Sequence, residues 1–175
     1  MLTLSIFRHA KSSSDELAPT DIDRPLSERG IAAAPVMGAF MARAGLLPDL
    51  VLSSPSVRTR ATAALAFTAF DRGPQILFED ALYLASAKTM LARIRRVEAR
   101  IRHLMLLGHN PGLHELALDL AGEGPKKLIG ELSDKLPTAG LVVIAFEAKT
   151  LAKIGAGTGR LVHFVTPRNL AERAR

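Results

Sequence analysis

The chain contains no cysteine. This excludes a disulfide framework, a thiol nucleophile and thiolate ligands for a metal ion. A chain without cysteine is compatible with a reducing compartment, and we expect this protein to be cytoplasmic. The five histidines are not accompanied by a carboxylate cluster at ligand spacing, so the sequence predicts neither a metal site nor another cofactor.

Long apolar runs are absent and aromatic residues are scarce. No run approaches the roughly 20 residues that a membrane-spanning helix needs, so we expect no membrane contact. A single tyrosine and no tryptophan leave no set of rings on which single-stranded nucleic acid can stack. The stretch with Arg93, Arg96 and Arg100 instead predicts the exposed basic face of an amphipathic helix. A nucleic-acid partner is therefore disfavoured.

The chain does contain a large apolar fraction and an excess of positive charge. Hydrophobic residues make up 48% of its 175 residues, which suffices for one compact domain over residues 1–175. The formal net charge of +6 at pH 7 favours an anionic partner. Charge alone does not distinguish a phosphorylated protein from nucleic acid or a small phosphate.

Strand-like and helix-like segments alternate along the chain. The predicted strands are Leu2–Phe7, Leu50–Leu52, Gln75–Phe78, His103–Leu107, Gly140–Glu147 and Arg160–Thr166. The predicted helices are Ser27–Ala44, a helix with its N-cap at Ser54 and Pro55 as its first residue, Ser86–Arg100 and Leu113–Ala121, and Gly122–Pro137 is predicted to be a surface loop. Repeated β-α pairs predict an α/β three-layer sandwich, in which a mostly parallel central sheet has helices on both faces and one antiparallel edge strand.

Basic side chains follow three of the predicted strands. Arg8 and His9 come directly after the first strand. Arg58 lies near the start of the helix after the second strand, and His109 follows the fourth. Ligands in such folds bind beyond the carboxyl ends of the parallel strands, so we expect these side chains to converge there. Arginine N–H donors, a helix N-terminus and imidazole rings together predict a pocket for a tetrahedral dianion.

Four ordered motifs carry a family resemblance, namely "FRHAKSS", "RPLSERG", "LSSPSVRTRATA" and "LLGHNPG". They resemble the histidine phosphatase superfamily, which has the phosphoglycerate-mutase-like fold, and are most similar to the SixA-type phosphohistidine phosphatases. The resemblance implies that His9 is the nucleophile and accepts a phosphoryl group on an imidazole nitrogen. It also implies that Arg8, Arg58 and His109 bind the phosphoryl oxygens and stabilise the transition state.

Ala10 and the "RPLSERG" motif affect the backbone around the predicted pocket. The family motif usually has glycine after the nucleophilic histidine, and this chain has Ala10, which restricts the backbone at a tight turn. The "RPLSERG" motif is interpreted as a loop and helix start fixed by Pro25 and Gly30, from which Arg24 can approach the pocket.

The general acid is the open question. Glu79 and Asp80, in "FEDALYLAS", and Asp15, six residues after His9, are the candidates. SixA-type proteins generally lack this acid. A serine alkoxide needs a proton to leave, whereas a protonated imidazole leaves readily, so a missing acid favours phosphohistidine as the substrate.

The sequence therefore predicts a phosphatase that hydrolyses phosphohistidine in a partner protein. One alternative is a small-molecule phosphomonoesterase that uses one of the candidate carboxylates as proton donor. Another is a phosphate- or nucleic-acid-binding module whose pocket does no chemistry.

Overall fold

A central sheet of seven strands organises the part of the chain that the structure describes. The computed structural model describes residues 1–14, 16 and 18–173. Its strands are β1 (Leu2–Arg8), β2 (Leu50–Ser53), β3 (Gln75–Phe78), β4 (His103–Gly108), β5 (Ala121–Glu123), β6 (Leu141–Phe146) and β7 (Gly159–Val165). They lie side by side in the order β3-β2-β4-β1-β6-β7-β5.

Most neighbouring strands run in the same direction. β3, β2, β4 and β1 pair in parallel, and β5 pairs in parallel with β7. β6 runs antiparallel to both of its neighbours, β1 and β7. The prediction of a mostly parallel sheet with one antiparallel strand is confirmed, but its predicted place at the edge of the sheet is wrong. That strand lies inside the sheet, because β7 and β5 add to its outer side.

Six α-helices within the described residues cover the two faces of the sheet. They are α1 (Glu28–Arg43), α2 (Val57–Ala66), α3 (Ala87–Ile94), α4 (Gly112–Leu120), α5 (Lys126–Asp134) and α6 (Pro167–Arg173). α1, α2 and α6 cover a core that includes Met37 and Met105. α3, α4 and α5 cover a second core that includes Leu106 and Leu116. Met105 and Leu106 are neighbours in β4 and point to opposite faces, as strand geometry requires, and the predicted three-layer sandwich is confirmed.

The start of α2 differs from the prediction. Ser54 does not cap the helix, and Pro55 is not its first residue. The Ser56 hydroxyl accepts a hydrogen bond from the amide of Thr59 at 3.3 Å, and the helix begins at Val57. Both serines can act as caps, but the hydroxyl of Ser54 already contacts His109.

The predicted loop over Gly122–Pro137 is wrong, because β5 and α5 lie in this region. In α5, the side chains of Leu128, Ile129 and Leu132 pack against the second core. This apolar stripe is short, and Gly130 in the middle of the helix lowers its intrinsic helix propensity. Packing against the core therefore stabilises a helix that the local sequence does not indicate.

The end of α3 and the presence of α6 also differ from the prediction. α3 ends at Ile94 and not at Arg100, because the chain turns there: the Val97 amide donates to the Ile94 carbonyl at 3.0 Å. The Arg95 guanidinium reaches the Ile154 carbonyl at 2.8 Å and holds this turn. α6, which the sequence does not predict, follows β7 directly.

We expect Gly38→Ala to lower the free energy of unfolding by about 1–3 kcal/mol, the usual cost of overpacking. A Cβ atom at Gly38 in α1 would lie 1.8 Å from the carbonyl oxygen of Ala66 in α2, so the helices would have to separate. Gly130→Ala in α5 is the matched control, since nothing lies within 4 Å of a Cβ atom there. We expect the control to gain about 0.5–1 kcal/mol from helix propensity. Urea denaturation measures both changes, and equal values would contradict the close packing of α1 on α2.

Candidate active site

Three strands end at the same edge of the sheet and bring the predicted residues together. Arg8 is the last residue of β1, His9 follows it, and His109 follows the last residue of β4. Arg58 is the second residue of α2, the helix after β2. All four side chains line a pocket of about 330 Å³ between these elements. Arg24 also lines this pocket, as the sequence predicts, so the site has three guanidinium groups and two imidazole rings around one cavity.

Neighbouring strands fix the backbone of His9. Its amide donates to the Gly108 carbonyl at 3.1 Å, and its carbonyl accepts from the Ala139 amide at 3.0 Å. The Arg8 amide donates to the Gly140 carbonyl at 3.0 Å. His9 thus continues the hydrogen-bonding pattern of the sheet beyond the last residue of β1.

The ring of His9 is buried and uncharged at neutral pH. Its Nδ1 donates to the carbonyl oxygen of Ala10 at 2.7 Å, which leaves the lone pair on Nε2. Burial is the main cause that lowers the pKa of His9 to about 3, and the bond to Ala10 opposes it. The charges of His109, Arg58 and Arg8 lower this pKa further. The ring can therefore offer an unprotonated Nε2 at pH 7.

Ala10 occupies the family's glycine position without backbone strain. Its methyl group belongs to the buried core under α1 and α2, and its amide donates to the hydroxyl of Thr62 at 3.0 Å. Among the described non-glycine residues, positive φ occurs at Leu84 and Ala139. Ala10 has no such conformation, so this position does not require glycine.

Arg58 is buried and bridges two parts of the pocket. Its Nη1 donates to the backbone oxygen of Asp21 at 2.6 Å, and its Nη2 donates to the carboxylate of Asp21 at 3.0 Å. The same Nη2 lies 3.2 Å from Nδ1 of His109. These contacts hold the guanidinium group in one orientation at the pocket wall.

His109 is held in one tautomer by two hydrogen bonds. Arginine can only donate, so Nδ1 of His109 accepts from Arg58. Nε2 then carries the proton and donates to the Ser54 hydroxyl at 2.7 Å. Burial and, after it, the charge of Arg58 lower the pKa of His109 to about 4. Its ring centroid lies 5.2 Å from that of His9, so two neutral imidazoles face each other across the pocket.

Arg8 is anchored on the side of the pocket formed by the chain after α5. Its Nη1 donates to the carbonyl oxygen of Leu136 at 2.9 Å, and the Asn110 amide donates to the same oxygen at 2.8 Å. Arg8 Nε and Asn110 Oδ1 are buried and have no hydrogen-bond partner within the described residues. Burial, more than the charge of Arg58, lowers the pKa of Arg8, but an arginine remains charged in proteins.

Asp21 lines the pocket, although no sequence motif points to it. Its carboxylate accepts hydrogen bonds from the Tyr83 hydroxyl, Arg24 and Arg58. The bond from Tyr83 is the main cause that lowers the pKa of Asp21 below its usual range, against the opposing effect of burial. Asp21 belongs to a polar stretch without periodicity, so no sequence signal separates it from neighbouring acidic residues. The one weak signal is that Tyr83 is the chain's single tyrosine.

The candidate general acids do not lie in the described part of the pocket. Glu79 accepts two hydrogen bonds from Arg93, at 2.9 and 2.7 Å, outside the pocket. Asp80 begins the short 3-10 turn Asp80–Leu82 and does not line the pocket. Asp15 lies outside the described residues. Of the described residues that line the pocket, Asp21 is the only carboxylate, and it is ionised.

The described residues also bear on two other kinds of site. They contain no group of three or more histidine, aspartate or glutamate side chains arranged to hold a metal ion. No helix among them is both long and apolar enough to cross a membrane.

The sequence is similar to known proteins along most of its length. The model of the histidine phosphatase superfamily (branch 1) matches residues 4–82, the part of the chain that contributes Arg8, His9 and Arg58. An uncharacterized protein of Mycobacterium tuberculosis is 38% identical over 165 residues, which cover 92% of this chain and 99% of that protein.

Solved structures extend this similarity to the whole fold. A protein of Agrobacterium tumefaciens assigned as the phosphohistidine phosphatase SixA superposes with a TM-score of 0.79 at 30% identity, covering 95% of this chain and 98% of that chain. A protein histidine phosphatase SixA in complex with tungstate superposes with a TM-score of 0.76 at 18% identity, covering 97% and 99% of the two chains. The second similarity shows the fold alone.

Proposed function

Because this chain belongs to the histidine phosphatase superfamily and is SixA-like, we propose that it removes the phosphoryl group from phosphohistidine in a partner protein. Membership of the superfamily supports phosphatase activity. Our proposal concerns the substrate on which this activity acts. The observation that carries this choice is the ionised state of Asp21, the one carboxylate among the described pocket residues.

The first step is phosphoryl transfer to His9. Nε2 attacks the phosphorus atom, the bond from phosphorus to the substrate's imidazole nitrogen breaks, and its electron pair stays on the leaving ring. Arg8 and Arg58 donate to the phosphoryl oxygens, because this reaction depends mainly on positioning and on stabilisation of charge. A dianion beside His109 favours the protonated form of this ring, which then donates through Nδ1 as well.

The second step is hydrolysis of the phosphorylated enzyme. A water molecule attacks phosphorus, the bond to Nε2 of His9 breaks, and its electron pair returns to the ring. Both protons of the water remain on the released phosphate, so His9 returns to its starting tautomer. The covalent intermediate divides one difficult hydrolysis into two easier steps.

The leaving group decides which substrate suits this pocket. A phosphohistidine whose other ring nitrogen carries a proton leaves as neutral imidazole, so no acid has to act in that step. A serine or sugar alkoxide needs a proton donor, which contributes about 100- to 10,000-fold in rate. Asp21 is held unprotonated by hydrogen bonds from Tyr83, Arg24 and Arg58 and cannot supply that proton.

A substrate panel tests the proposal. We expect kcat/KM for a phosphohistidine peptide to exceed that for the matching phosphoserine peptide by at least about 100-fold, the smallest usual contribution of a general acid. An aryl phosphate should fall between them, because its phenolate leaves without a proton. Steady-state phosphate release from the purified protein measures all three.

Asp21→Asn serves as the control variant. If Asp21 is not a proton donor, the ratio between the phosphohistidine and phosphoserine peptides stays the same in this variant. Fast turnover of phosphoserine that is lost in Asp21→Asn or Asp15→Asn would contradict the proposal and indicate a phosphomonoesterase with a carboxylic acid donor.

A further inference from the structure

A second and larger cavity adjoins the catalytic pocket. It has a volume of about 710 Å³ and lies between the start of α1, the end of α5, residues 135–139 and the start of α6. Lys11 and Thr138 line both this cavity and the catalytic pocket. The two therefore form one continuous depression, and we call the larger part the α1–α6 groove.

The floor of the α1–α6 groove is apolar. Ala33 of α1, Pro137 and the buried ring of Phe164 line it. The phosphoryl group itself needs polar donors, which the catalytic pocket provides. An apolar floor of this size instead fits the part of a substrate that lies beside the phosphoryl group.

The rim of the groove carries positive charge that the structure does not neutralise. Lys11, Arg29 and Lys135 are exposed and form no ion pair within the described residues. Of the acidic residues around the groove, Glu131 lies 3.9 Å from Lys127 and Glu172 lies 3.0 Å from Arg168.

One acidic residue of the rim, Asp134, is left to offset the three cations, so the rim has a net positive charge.

We propose that the α1–α6 groove binds an acidic segment of the protein that carries the phosphohistidine. This inference rests on the proposed function, since it concerns the same substrate. A cationic rim beside an anion-binding pocket attracts a segment whose acidic residues flank the phosphohistidine. The continuity through Lys11 and Thr138 lets one substrate chain occupy both cavities. The chain's net charge of +6 also attracts an acidic segment at long range.

Two phosphohistidine peptides test the groove. They differ only in carrying either glutamate or glutamine residues beside the phosphohistidine. We expect the wild-type protein to have a kcat/KM about tenfold higher for the glutamate peptide at low salt, the combined effect of two or three exposed ion pairs. The preference should weaken as salt rises, because salt screens exposed charges.

The double variant Arg29→Gln with Lys135→Gln leaves Lys11 and Asp134 as the unpaired charges of the rim, so it removes the net charge from the groove without replacing a residue of the catalytic pocket. We expect its preference for the glutamate peptide to vanish, with most of the change in KM, while turnover of the glutamine peptide is retained. The control is Arg96→Gln with Lys149→Gln, which changes the net charge equally. Both control residues are exposed near the opposite edge of the sheet, and this variant should keep the preference.

Four results would overturn the inference. One is a groove variant that keeps the wild-type preference, and another is an equal loss for both peptides, which would place the groove in the catalytic machinery. A change in sedimentation of the groove variant would assign the groove to contact between two copies of the chain. A wild-type protein that releases no phosphate from either peptide would overturn the proposed function as well, and this result is distinct from the other three.

Discussion

Replacing His9 with alanine is expected to lower kcat for phosphohistidine peptides by at least about 10,000-fold, the scale of loss when a nucleophile is removed. The reason is that His9 offers the unprotonated Nε2, whereas both nitrogens of His109 are engaged by Arg58 and Ser54. No second imidazole in the described pocket can therefore replace it. Phosphate release from the peptides under saturating conditions measures this loss.

Trapping the intermediate separates a nucleophile from a binding group. Wild-type protein exposed to labelled phosphoramidate should acquire label that is stable in base and lost in acid, as phosphohistidine is. His9→Ala should acquire none. His114→Ala is the matched control, because His114 bonds to the Leu132 carbonyl at 2.6 Å and does not line the pocket. That variant should be labelled like the wild type.

Calorimetric titration with inorganic phosphate completes this experiment. Arg8 and Arg58 remain in His9→Ala, so the variant should still bind phosphate. Binding with normal affinity by both proteins, but no label on the wild type, would contradict a catalytic role and indicate a phosphate-binding module. Retained turnover in His9→Ala would contradict the assigned nucleophile directly.

Arg58→Ala is expected to lower kcat by about 100- to 1,000-fold, the usual cost of one preorganised donor to a developing charge. Arg58 is 3% exposed, and its two terminal nitrogens are aimed by Asp21 and His109. Its removal leaves the phosphoryl oxygens without one of two guanidinium groups. Steady-state kinetics with the phosphohistidine peptide measures the change.

Arg60→Ala is the matched control on the same helix. Arg60 is exposed, its guanidinium lies 3.9 Å from the centre of the Phe78 ring, and it does not line the pocket. We expect this variant to keep kcat within about twofold, because its contact is a surface cation–π pair. Equal losses in Arg58→Ala and Arg60→Ala would contradict the assignment of Arg58 to the site.

A titration of His109 tests whether the charge of Arg58 acts on this ring. The charge of Arg58 lowers the pKa of His109, so Arg58→Ala should raise this pKa from about 4 towards its ordinary value. NMR signals of the imidazole ring report the midpoint, and Arg60→Ala should leave it unchanged. An unchanged midpoint in Arg58→Ala would contradict the contact between Arg58 and His109.

The core of the fold was predictable because strands leave a strong local pattern. β1 and β4 are short apolar runs, and they end at Arg8 and Gly108. Parallel topology fixes where these ends meet. The convergence of Arg8, His9 and His109 follows from these two facts. Arg58 adds to them through its place in the first turn of α2.

The rest of the site depends on contacts that no local pattern encodes. Asp21 and Tyr83 lie far apart along the chain and meet only because the loop after β1 folds over the start of α2. The sequence predicts Ser54 as a helix cap, whereas in the fold its hydroxyl accepts a hydrogen bond from Nε2 of His109. α5 exists because the second core offers a surface to Leu132, which a window on the sequence cannot detect.

Backbone hydrogen bonds join His9 to β4 and to the turn before β6. They affect the entropy that each turnover costs. The His9 amide and carbonyl are both bound to backbone groups, so this residue is already ordered before a substrate arrives. If His9 is the proposed nucleophile, the entropy of fixing it is therefore lost once, when the protein folds, and not again in every catalytic cycle. The substrate then has to lose only its own freedom of motion to reach the transition state.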